Sequence, residues 1–257
     1  MHHWTKRLFA IAAPLLLAGC LWGPGKFTSD LTLRKDGTFV LDYRGEVILE
    51  TADMMAAKTW TPSMAHCVGE DQKQRPCSAK EVADQKAAFD QKQKSDAETA
   101  KSLGLPGADE ESNRAFAAKL MKYAGWRSVS YRGHGVYDVD YHFTGRADQD
   151  VVFPLMPDNN LIIPFIVMRR RADGAVLVNA PALTGGMNML GPMAERMGGA
   201  DKNAPPSRAQ GRFTIHTEGQ VLTNNSEDGP GADPIGRQVH WDIAPGSNKL
   251  PETLIRL

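Results

Sequence analysis

Two alternating stretches around a tight turn decide the fold of this chain: Lys26-Phe-Thr-Ser-Asp-Leu-Thr-Leu-Arg34, then Lys35-Asp-Gly37, then Thr38-Phe-Val-Leu-Asp-Tyr-Arg-Gly-Glu-Val-Ile-Leu49. Apolar side chains recur at every second position of both stretches: Leu31, Leu33, Phe39, Leu41 and Tyr43. Because side chains of a strand point alternately to its two faces, this period predicts two half-buried strands. An Asp-Gly turn between them predicts a β-hairpin, and Gly45 predicts a bulge or bend in the second strand.

Working outward, the second half of the chain is rich in strand patterns, whereas the region after the hairpin is helical. Strand patterns cover 126–132, 136–143, 161–171, 175–180, 211–217, 220–223 and 236–243. Helical patterns cover 51–58, 78–101 and 109–123, and the second of these opens with a Ser78/Glu81 capping box. This order predicts one α+β domain at 26–257, in which helices pack on an antiparallel β-sheet. The helical block, at about 51–124, is predicted to be an insertion after the first hairpin.

The N-terminal stretch has the features of an export signal. Lys6 and Arg7 precede an apolar run of about ten residues, too short for the ~20 residues of a membrane-spanning helix. The run ends in Leu17-Ala-Gly-Cys20, which resembles the lipobox of bacterial lipoproteins. We therefore expect a signal peptide at 1–19, a lipidated Cys20, and a short tether at 20–25. The alternative is an ordinary secreted protein in which Cys20 is an incidental thiol.

Lipidation predicts where the protein lies. The resemblance implies a diacylglyceryl group on the Cys20 thiol and a further acyl chain, such as palmitate, on the new amine. Two or more acyl chains anchor a protein stably, whereas one gives marginal binding. Since Leu21 is not the aspartate associated with inner-membrane retention, we expect the protein in the cell envelope, on the outer membrane and facing the periplasm.

Composition indicates a globular protein and argues against nucleic acid as a partner. Hydrophobic residues make up 42% and charged residues 23% of the chain, values typical of a folded domain. Lys+Arg and Asp+Glu number 30 each, so removal of Lys6 and Arg7 with the signal leaves a slightly acidic chain without a polybasic patch. Nucleic-acid-binding proteins concentrate positive charge on one face.

Cys67 and Cys77 remain once Cys20 is assigned to lipid. An even pair in an exported protein predicts a structural disulfide. The alternatives are two free thiols or a redox-active pair, but the spacing is not the Cys-x-x-Cys of redox motifs.

Both ends of the chain resemble the LppM-type lipoprotein domain. The resemblance rests on the stretch 27–39 with its Asp36-Gly-Thr38 turn, and on 213–225 followed by 236–243 with Trp241. The middle of the chain has no counterpart. The resemblance implies an antiparallel sheet with helices around an apolar cavity, and it implies binding of a lipid or glycolipid.

A Met- and Gly-rich segment is the predicted ligand-binding region. We expect an apolar pocket lined by Met187, Met189, Leu190, Met193 and Met197, with Ile163 and Phe165 opposite. Two alternatives stay open. The methionines can be a pliable apolar lid that packs on the sheet, or their thioethers can be soft ligands for Cu(I).

Polar residues on one predicted strand form a second candidate cluster. Asp138, Asp140 and His142 share a strand face, and His134 lies just before them. Carboxylates and imidazoles can bind a divalent metal, but the same period is typical of a solvated sheet face, which we prefer. His216 and His240, also on strand patterns, are given the same structural interpretation, and no metal or cofactor is predicted.

The sequence carries none of the local motifs of a catalytic nucleophile. It lacks Gly-x-Ser-x-Gly, Ser-x-x-Lys and His-Glu-x-x-His motifs, and no glycine loop suited to phosphate precedes a helix. We therefore predict a non-enzymatic, lipid-anchored envelope protein that binds a lipid-like or apolar ligand. The alternative function is envelope assembly or scaffolding, in which the charged helix at 78–101 contacts a partner protein.

Overall fold

The computed structural model describes residues 22–49, 60–69, 73–102, 109–154, 164–184, 207–247 and 249–257. These residues are 49% strand and 20% helix, so strands and not helices build the body of the protein. Within this part of the chain there are fourteen strands: β1 (Trp22–Leu33), β2 (Thr38–Leu49), β3 (Cys67–Val68), β4 (Gln74–Arg75), β5 (Trp126–Gly133), β6 (Val136–Arg146), β7 (Val151–Phe153), β8 (Ile166–Arg170), β9 (Val176–Asn179), β10 (Gln210–Thr217), β11 (Gln220–Asn224), β12 (Gly231–Asp233), β13 (Gly236–Ile243) and β14 (Glu252–Arg256).

The strands form two large sheets and one small hairpin. The larger sheet has seven strands in the order β12-β13-β10-β1-β2-β6-β5. The smaller sheet has five strands in the order β11-β14-β9-β8-β7. The chain passes between the two sheets several times, after β6, β9, β10, β11 and β13, and the β10–β11 turn is the shortest of these connections.

The first hairpin is confirmed. β1 and β2 pair antiparallel from Leu33↔Phe39 outward. The side chain of Asp36 holds the turn by accepting hydrogen bonds from the Thr38 amide and hydroxyl at 2.8 and 2.6 Å. The irregularity expected near Gly45 lies opposite it in β1, where the register shifts between Pro24 and Phe27. Gly45 has φ +142°, and a Cβ there would lie 2.1 Å from the Lys26 carbonyl oxygen.

The predicted fold class is wrong in two respects. First, a second sheet covers the larger sheet where a layer of helices was expected, so the fold is β-rich and not α+β. Second, the larger sheet is mixed, because β1 pairs parallel with β10 from Lys26↔Gln210 to Leu33↔Thr217. A parallel pair needs a long crossover connection, and here nearly the whole middle of the chain connects the two strands.

Aromatic rings fill the core between the two sheets. Tyr43 of β2 lies at ring-centroid distances of 5.2 Å from Phe153 and 5.8 Å from Phe165, both in or beside the smaller sheet. Tyr141 of β6 lies 4.5 Å from Phe153. Tyr43, Phe153 and Phe165 are at most 1% exposed. Burial of a large side chain stabilises a fold by about 1.5–3 kcal/mol, so this shared core is the main stabilising contact between the sheets.

Two α-helices are present among the described residues, α1 (Ala79–Ser102) and α2 (Glu110–Leu120). Helix α2 packs at one end of the larger sheet, where Phe116 stacks on Trp22 at 5.2 Å. Its Asn113 is 4% exposed and accepts a hydrogen bond from the Tyr137 hydroxyl at 2.7 Å. Helix α1 is mostly exposed, as its low apolar content predicts. The predicted helix at 51–58 lies outside the described residues.

The expected tether is shorter than predicted. β1 begins at Trp22, which is 1% exposed and pairs with Leu49. Residues 22–25 therefore belong to the sheet and not to a flexible linker. Among the described residues, no helix is both long and apolar enough to cross a bilayer.

Candidate functional site

Most residues of the predicted apolar pocket lie outside the described part of the chain: Met187, Met189, Leu190, Met193, Met197 and Ile163. Phe165 is described and is fully buried between Tyr43 and Phe153. In this position it is a core residue that joins the two sheets. Cys20, the predicted lipidation site, also lies outside the described residues.

Cys67 and Cys77 form a disulfide with a Cα–Cα distance of 5.3 Å. It lies beside the β3–β4 hairpin, next to the start of α1. The Gln85 side chain of α1 accepts a hydrogen bond from the His66 amide at 3.1 Å and donates one to the His66 carbonyl at 3.0 Å. These contacts hold the hairpin against the helix, so the disulfide acts as a local structural link.

The predicted polar cluster does not converge on a single point. Asp138, Asp140 and His142 all lie on the outer face of β6, but each contacts a different residue on a neighbouring strand: Asp138 pairs with Arg132 of β5, whereas Asp140 pairs with Arg44 and His142 with Asp42, both of β2. His134 lies apart in the β5–β6 turn. Among the described residues, no three His, Cys, Asp or Glu side chains are close enough to hold a metal ion.

These residues are one margin of a larger surface, which we call the polar face. It is the outer side of five adjacent strands of the larger sheet, β13, β10, β1, β2 and β6. The strand registers align its side chains in three rows across the sheet: Asp242-Arg212-Thr28-Arg44-Asp140, His240-Thr214-Asp30-Asp42-His142, and Gln238-His216-Thr32-Val40-Thr144. Fourteen of these fifteen residues are at least partly exposed, and Thr214 is 8% exposed.

The charges of the first row cancel, because its two arginines pair with its two aspartates. The Arg212 guanidinium donates to both carboxylate oxygens of Asp242, at 2.7 and 2.9 Å, and Arg44 Nε lies 3.4 Å from Asp140 Oδ2. The hydrogen bond from Arg212 is the main reason why the pKa of Asp242 is lowered. Both arginines are thus engaged within the sheet, and the row offers little net charge to a partner.

The second row is acidic at its centre. Asp30 and Asp42 lie directly opposite each other on β1 and β2, and their side chains are 46% and 31% exposed. Like charges directly opposite on adjacent strands destabilise a sheet. Each carboxylate has an imidazole neighbour: His142 Nδ1 lies 2.8 Å from Asp42 Oδ1, and His216 Nε2 lies 3.6 Å from Asp30 Oδ1.

His216 is oriented by a second carboxylate. Its Nδ1 lies 2.8 Å from Asp233 Oδ2, and the side chain of Asp233 is only 8% exposed. The pKa of Asp233 is lowered mainly by a hydrogen bond from the Ile235 amide, and His216 lowers it further. A carboxylate and an imidazole are two of the three members of a catalytic triad, the third being a nucleophile. Here the other nitrogen of His216 faces a carboxylate and not a hydroxyl or thiol. The arrangement fits binding better than nucleophilic catalysis.

A shallow hollow of about 550 Å³ adjoins the polar face. It is lined by Lys26, Phe27, Thr28, Arg44 and Gln210. Because Arg44 already pairs with Asp140, Lys26 is the residue that brings positive charge to this end of the surface, whereas Asp30 and Asp42 bring negative charge to its centre. The polar face therefore has an acidic centre and a basic margin.

Sequence reasoning named residues on three strands of the polar face, β6, β10 and β13, and missed those on β1 and β2. Asp30 and Asp42 were not singled out although the local β1–β2 hairpin places them opposite each other. Arg212 was missed because the parallel pairing of β1 with the distant β10 leaves no local signal. The available signal was the polar half of each alternating stretch, namely Thr28, Asp30 and Thr32 in β1, and Arg212, Thr214 and His216 in β10.

No protein-family model matches this chain, and no curated protein matches it significantly. The resemblance to LppM-type lipoproteins therefore stays a prediction. The function has to be argued from the fold and from the polar face.

Proposed function

We propose that this protein is a lipid-anchored, non-enzymatic envelope protein that binds a partner protein on its polar face. Anchoring rests on the Leu17-Ala-Gly-Cys20 motif. Binding rests on one observation above all: an exposed pair of carboxylates, Asp30 and Asp42, lies at the centre of an ordered polar surface. A pair that costs stability and is open to solvent is suited to contact a cation on another molecule.

The charge pattern defines the chemistry of the partner. A complementary surface has a Lys or Arg over Asp30 and Asp42, and an acidic side chain near Lys26. The polar face comprises fifteen residues, whereas standard interfaces use about 20–30 residues a side. We therefore propose a small, transient contact whose association is faster at low salt than at high salt.

Site-specific crosslinking in the native envelope tests this proposal. A photo-reactive residue replaces Thr28 on the polar face, and in a second variant it replaces Glu98 on α1. The proposal predicts one defined crosslinked protein from position 28 and none from position 98. A crosslink from position 98 alone would instead place docking on α1, and the absence of crosslinks from position 28 would contradict the proposal.

Charge reversal provides the matched control. Asp42→Lys should abolish the crosslink from position 28, because it places a cation where the partner's cation binds. Asp148→Lys makes the same charge change at an exposed position outside the polar face, where Asp148 lies 3.6 Å from Arg146. It should leave the crosslink intact. Equal loss in both variants would show an effect of net charge and not of the polar face.

The lipid-like ligand predicted for the Met-rich segment 185–199 stays a separate prediction, because that segment lies outside the described residues. Native mass spectrometry of the protein purified from its own envelope tests it. A retained mass that organic extraction removes would support a lipid ligand, whereas a mass equal to the protein alone would leave the polar face as the binding surface.

A further inference from the structure

A second hollow lies where the two large sheets meet, away from the polar face. Its volume is about 880 Å³. Its walls come from the turns that follow β1, β10 and β12 and from the end of β14. The lining residues include Lys35, Glu218, Gly219, Gly236, Arg237 and Arg256. We call it the basic hollow, because three of its side chains are cationic.

Among the described residues, the three cations of the basic hollow have no ion-pair partner. Lys35, Arg237 and Arg256 are exposed, and none of them lies within 4.0 Å of a carboxylate oxygen of a described residue. The one acidic side chain in the lining, Glu218, is already engaged: it accepts from Arg34 Nη1 at 2.9 Å and from the Lys35 amide at 3.1 Å. Most other exposed arginines among the described residues pair with an acid, so the three cations of the basic hollow outnumber its two acidic groups, Glu218 and the terminal carboxylate of Leu257.

The backbone segments around the basic hollow pack closely against one another at two glycines. A Cβ at Gly219 would lie 2.6 Å from the Arg256 carbonyl oxygen, and a Cβ at Gly236 would lie 2.6 Å from the Thr217 carbonyl oxygen. Gly236 also has φ +146°, which favours glycine. The backbones of the β10–β11 turn, the β12–β13 turn and β14 therefore touch. This contact fixes the starting points of the Arg237 and Arg256 side chains before any ligand arrives.

We propose that the basic hollow binds a phosphate-bearing ligand. Arginine presents paired N–H donors that match two phosphate oxygens, and lysine adds a mobile point charge. Arg237 and Arg256 are the bidentate donors in this proposal, and Lys35 closes the site from the β1–β2 turn. The volume is within the range of about 300–1,000 Å³ that small-molecule sites occupy, which leaves room for more than one phosphate group.

The position of the hollow favours a soluble ligand over a headgroup of the anchoring membrane. β1 runs from Trp22, near the predicted lipidated Cys20, to Leu33, beside the turn that contributes Lys35. Its length is roughly 35 Å at about 3.3 Å per residue. On an anchored protein the basic hollow lies at the end of β1 remote from the lipid. Both sources share the phosphate chemistry, and the experiment separates them.

The test is calorimetric titration of the full chain in a neutral detergent for the soluble probes, and flotation with vesicles after removal of the detergent for the membrane probes. Pyrophosphate and inorganic phosphate are the soluble probes, and vesicles of phosphatidylcholine with and without phosphatidylglycerol are the membrane probes. We expect pyrophosphate to bind saturably, and inorganic phosphate to bind with lower affinity. Binding to the anionic vesicles without binding of pyrophosphate would assign the hollow to a lipid headgroup. Binding of neither probe would overturn the proposal.

Substitution locates the site. Arg237→Gln and Arg256→Gln should each weaken pyrophosphate binding by about tenfold or more, the loss of a charge-assisted hydrogen bond. Arg170→Gln, an exposed arginine at the end of β8, is the matched control and should change the affinity less than twofold. Equal losses in all three variants would show nonspecific attraction and overturn the site. Asp42→Lys, which tests the polar face, leaves the basic hollow intact, so the two proposals fail separately.

Discussion

The two faces of the seven-stranded sheet are built from the same strands but differ in burial and in their contribution to stability. Asp42 and Tyr43 are neighbours in β2, yet Tyr43 is fully buried among rings of the smaller sheet, whereas Asp42 lies on the polar face with its side chain 31% exposed. Burial of a large ring contributes about 1.5–3 kcal/mol, whereas an exposed ion pair contributes about 0–1 kcal/mol. The inner face therefore carries stability, and the outer face is free to carry recognition.

The largest expected effect is at the centre of the inner face. Tyr43→Ala should lower the free energy of unfolding by about 3–5 kcal/mol, because it leaves a cavity where Phe27, Phe153 and Phe165 now touch the ring. Chemical denaturation measures this loss. Tyr43→Phe is the control: it removes only the hydrogen bond that the hydroxyl donates to the Glu46 carbonyl at 2.8 Å, worth about 1 kcal/mol. Equal losses in the two variants would contradict a packed inner face.

The next largest effect is at a polar contact that joins the sheets. Asn225 Oδ1 accepts hydrogen bonds from Trp241 Nε1 at 2.9 Å and from the Glu252 amide at 3.0 Å, and thus links β13 to β14. Asn225→Ala should cost about 2–3 kcal/mol in urea denaturation, since it leaves two donors without an acceptor. The neighbouring Ser226 is the control. Its buried Oγ has no hydrogen-bond partner among the described residues, so Ser226→Ala should be neutral or slightly stabilising.

On the outer face, substitution of a central residue should not lower the free energy of unfolding and can raise it. Asp30→Asn removes the like-charge contact with Asp42, so the free energy of unfolding should stay constant or rise by up to about 1 kcal/mol. The crosslink from position 28 should weaken in the same variant, because the partner's cation loses half of its carboxylate pair. Arg212→Ala is the comparison: it breaks an exposed ion pair and should cost no more than about 1 kcal/mol. A marked destabilisation by Asp30→Asn would show that the polar face serves the fold.

The smallest expected effects concern the pH range over which the protein is stable. Two aspartates set the acid limit of this range, and a buried tyrosine sets the alkaline limit. The pKa of Asp242 and that of Asp233 are lowered, so their stabilisation is present at neutral pH and is lost as pH falls below about 4. Burial raises the pKa of Tyr141, on the inner face, to about 12, so its stabilisation is present below about pH 10 and is lost as pH rises through 12. NMR of the side-chain carboxyl carbons measures the pKa of the two aspartates, and tyrosinate absorbance measures that of Tyr141. Titration of Asp242 at its ordinary pKa would contradict its ion pair with Arg212, and the same result for Asp233 would contradict its hydrogen bond from the Ile235 amide.

The fold was predictable where pairing is local and was missed where pairing is distant. The alternation around Asp36 and Gly37 predicted the β1–β2 hairpin, because both strands lie next to their turn. The second sheet was missed because β14 (Glu252–Arg256) is only five residues long and pairs with the distant β9. The strands predicted at 161–171, 175–180 and 220–223 were assigned to one sheet with the hairpin, so helices were expected to cover that sheet, which explains the wrong α+β prediction.

The same reason limits what the sequence shows of the candidate site. Asp138, Asp140 and His142 were found because they follow one another in β6. Asp30 and His216 lie far apart in sequence, and the parallel β1–β10 pair brings them to 3.6 Å. The basic hollow was also invisible, since its cations come from three separate turns and strand ends. Each single residue resembles ordinary surface charge until the strands are placed.

The early start of β1 has a consequence for how the protein searches for partners. Only Leu21 separates the predicted lipidated Cys20 from the buried Trp22, so the anchored protein has almost no linker. A long flexible linker would spread the binding surfaces over a wide volume and lower their effective concentration near any one partner. If Cys20 is lipidated, the polar face and the basic hollow would stay at a nearly constant height above the lipid. Insertion of a Gly/Ser segment after Leu21 should then keep the fold and both surfaces but lower the rate at which the protein meets a membrane-bound partner.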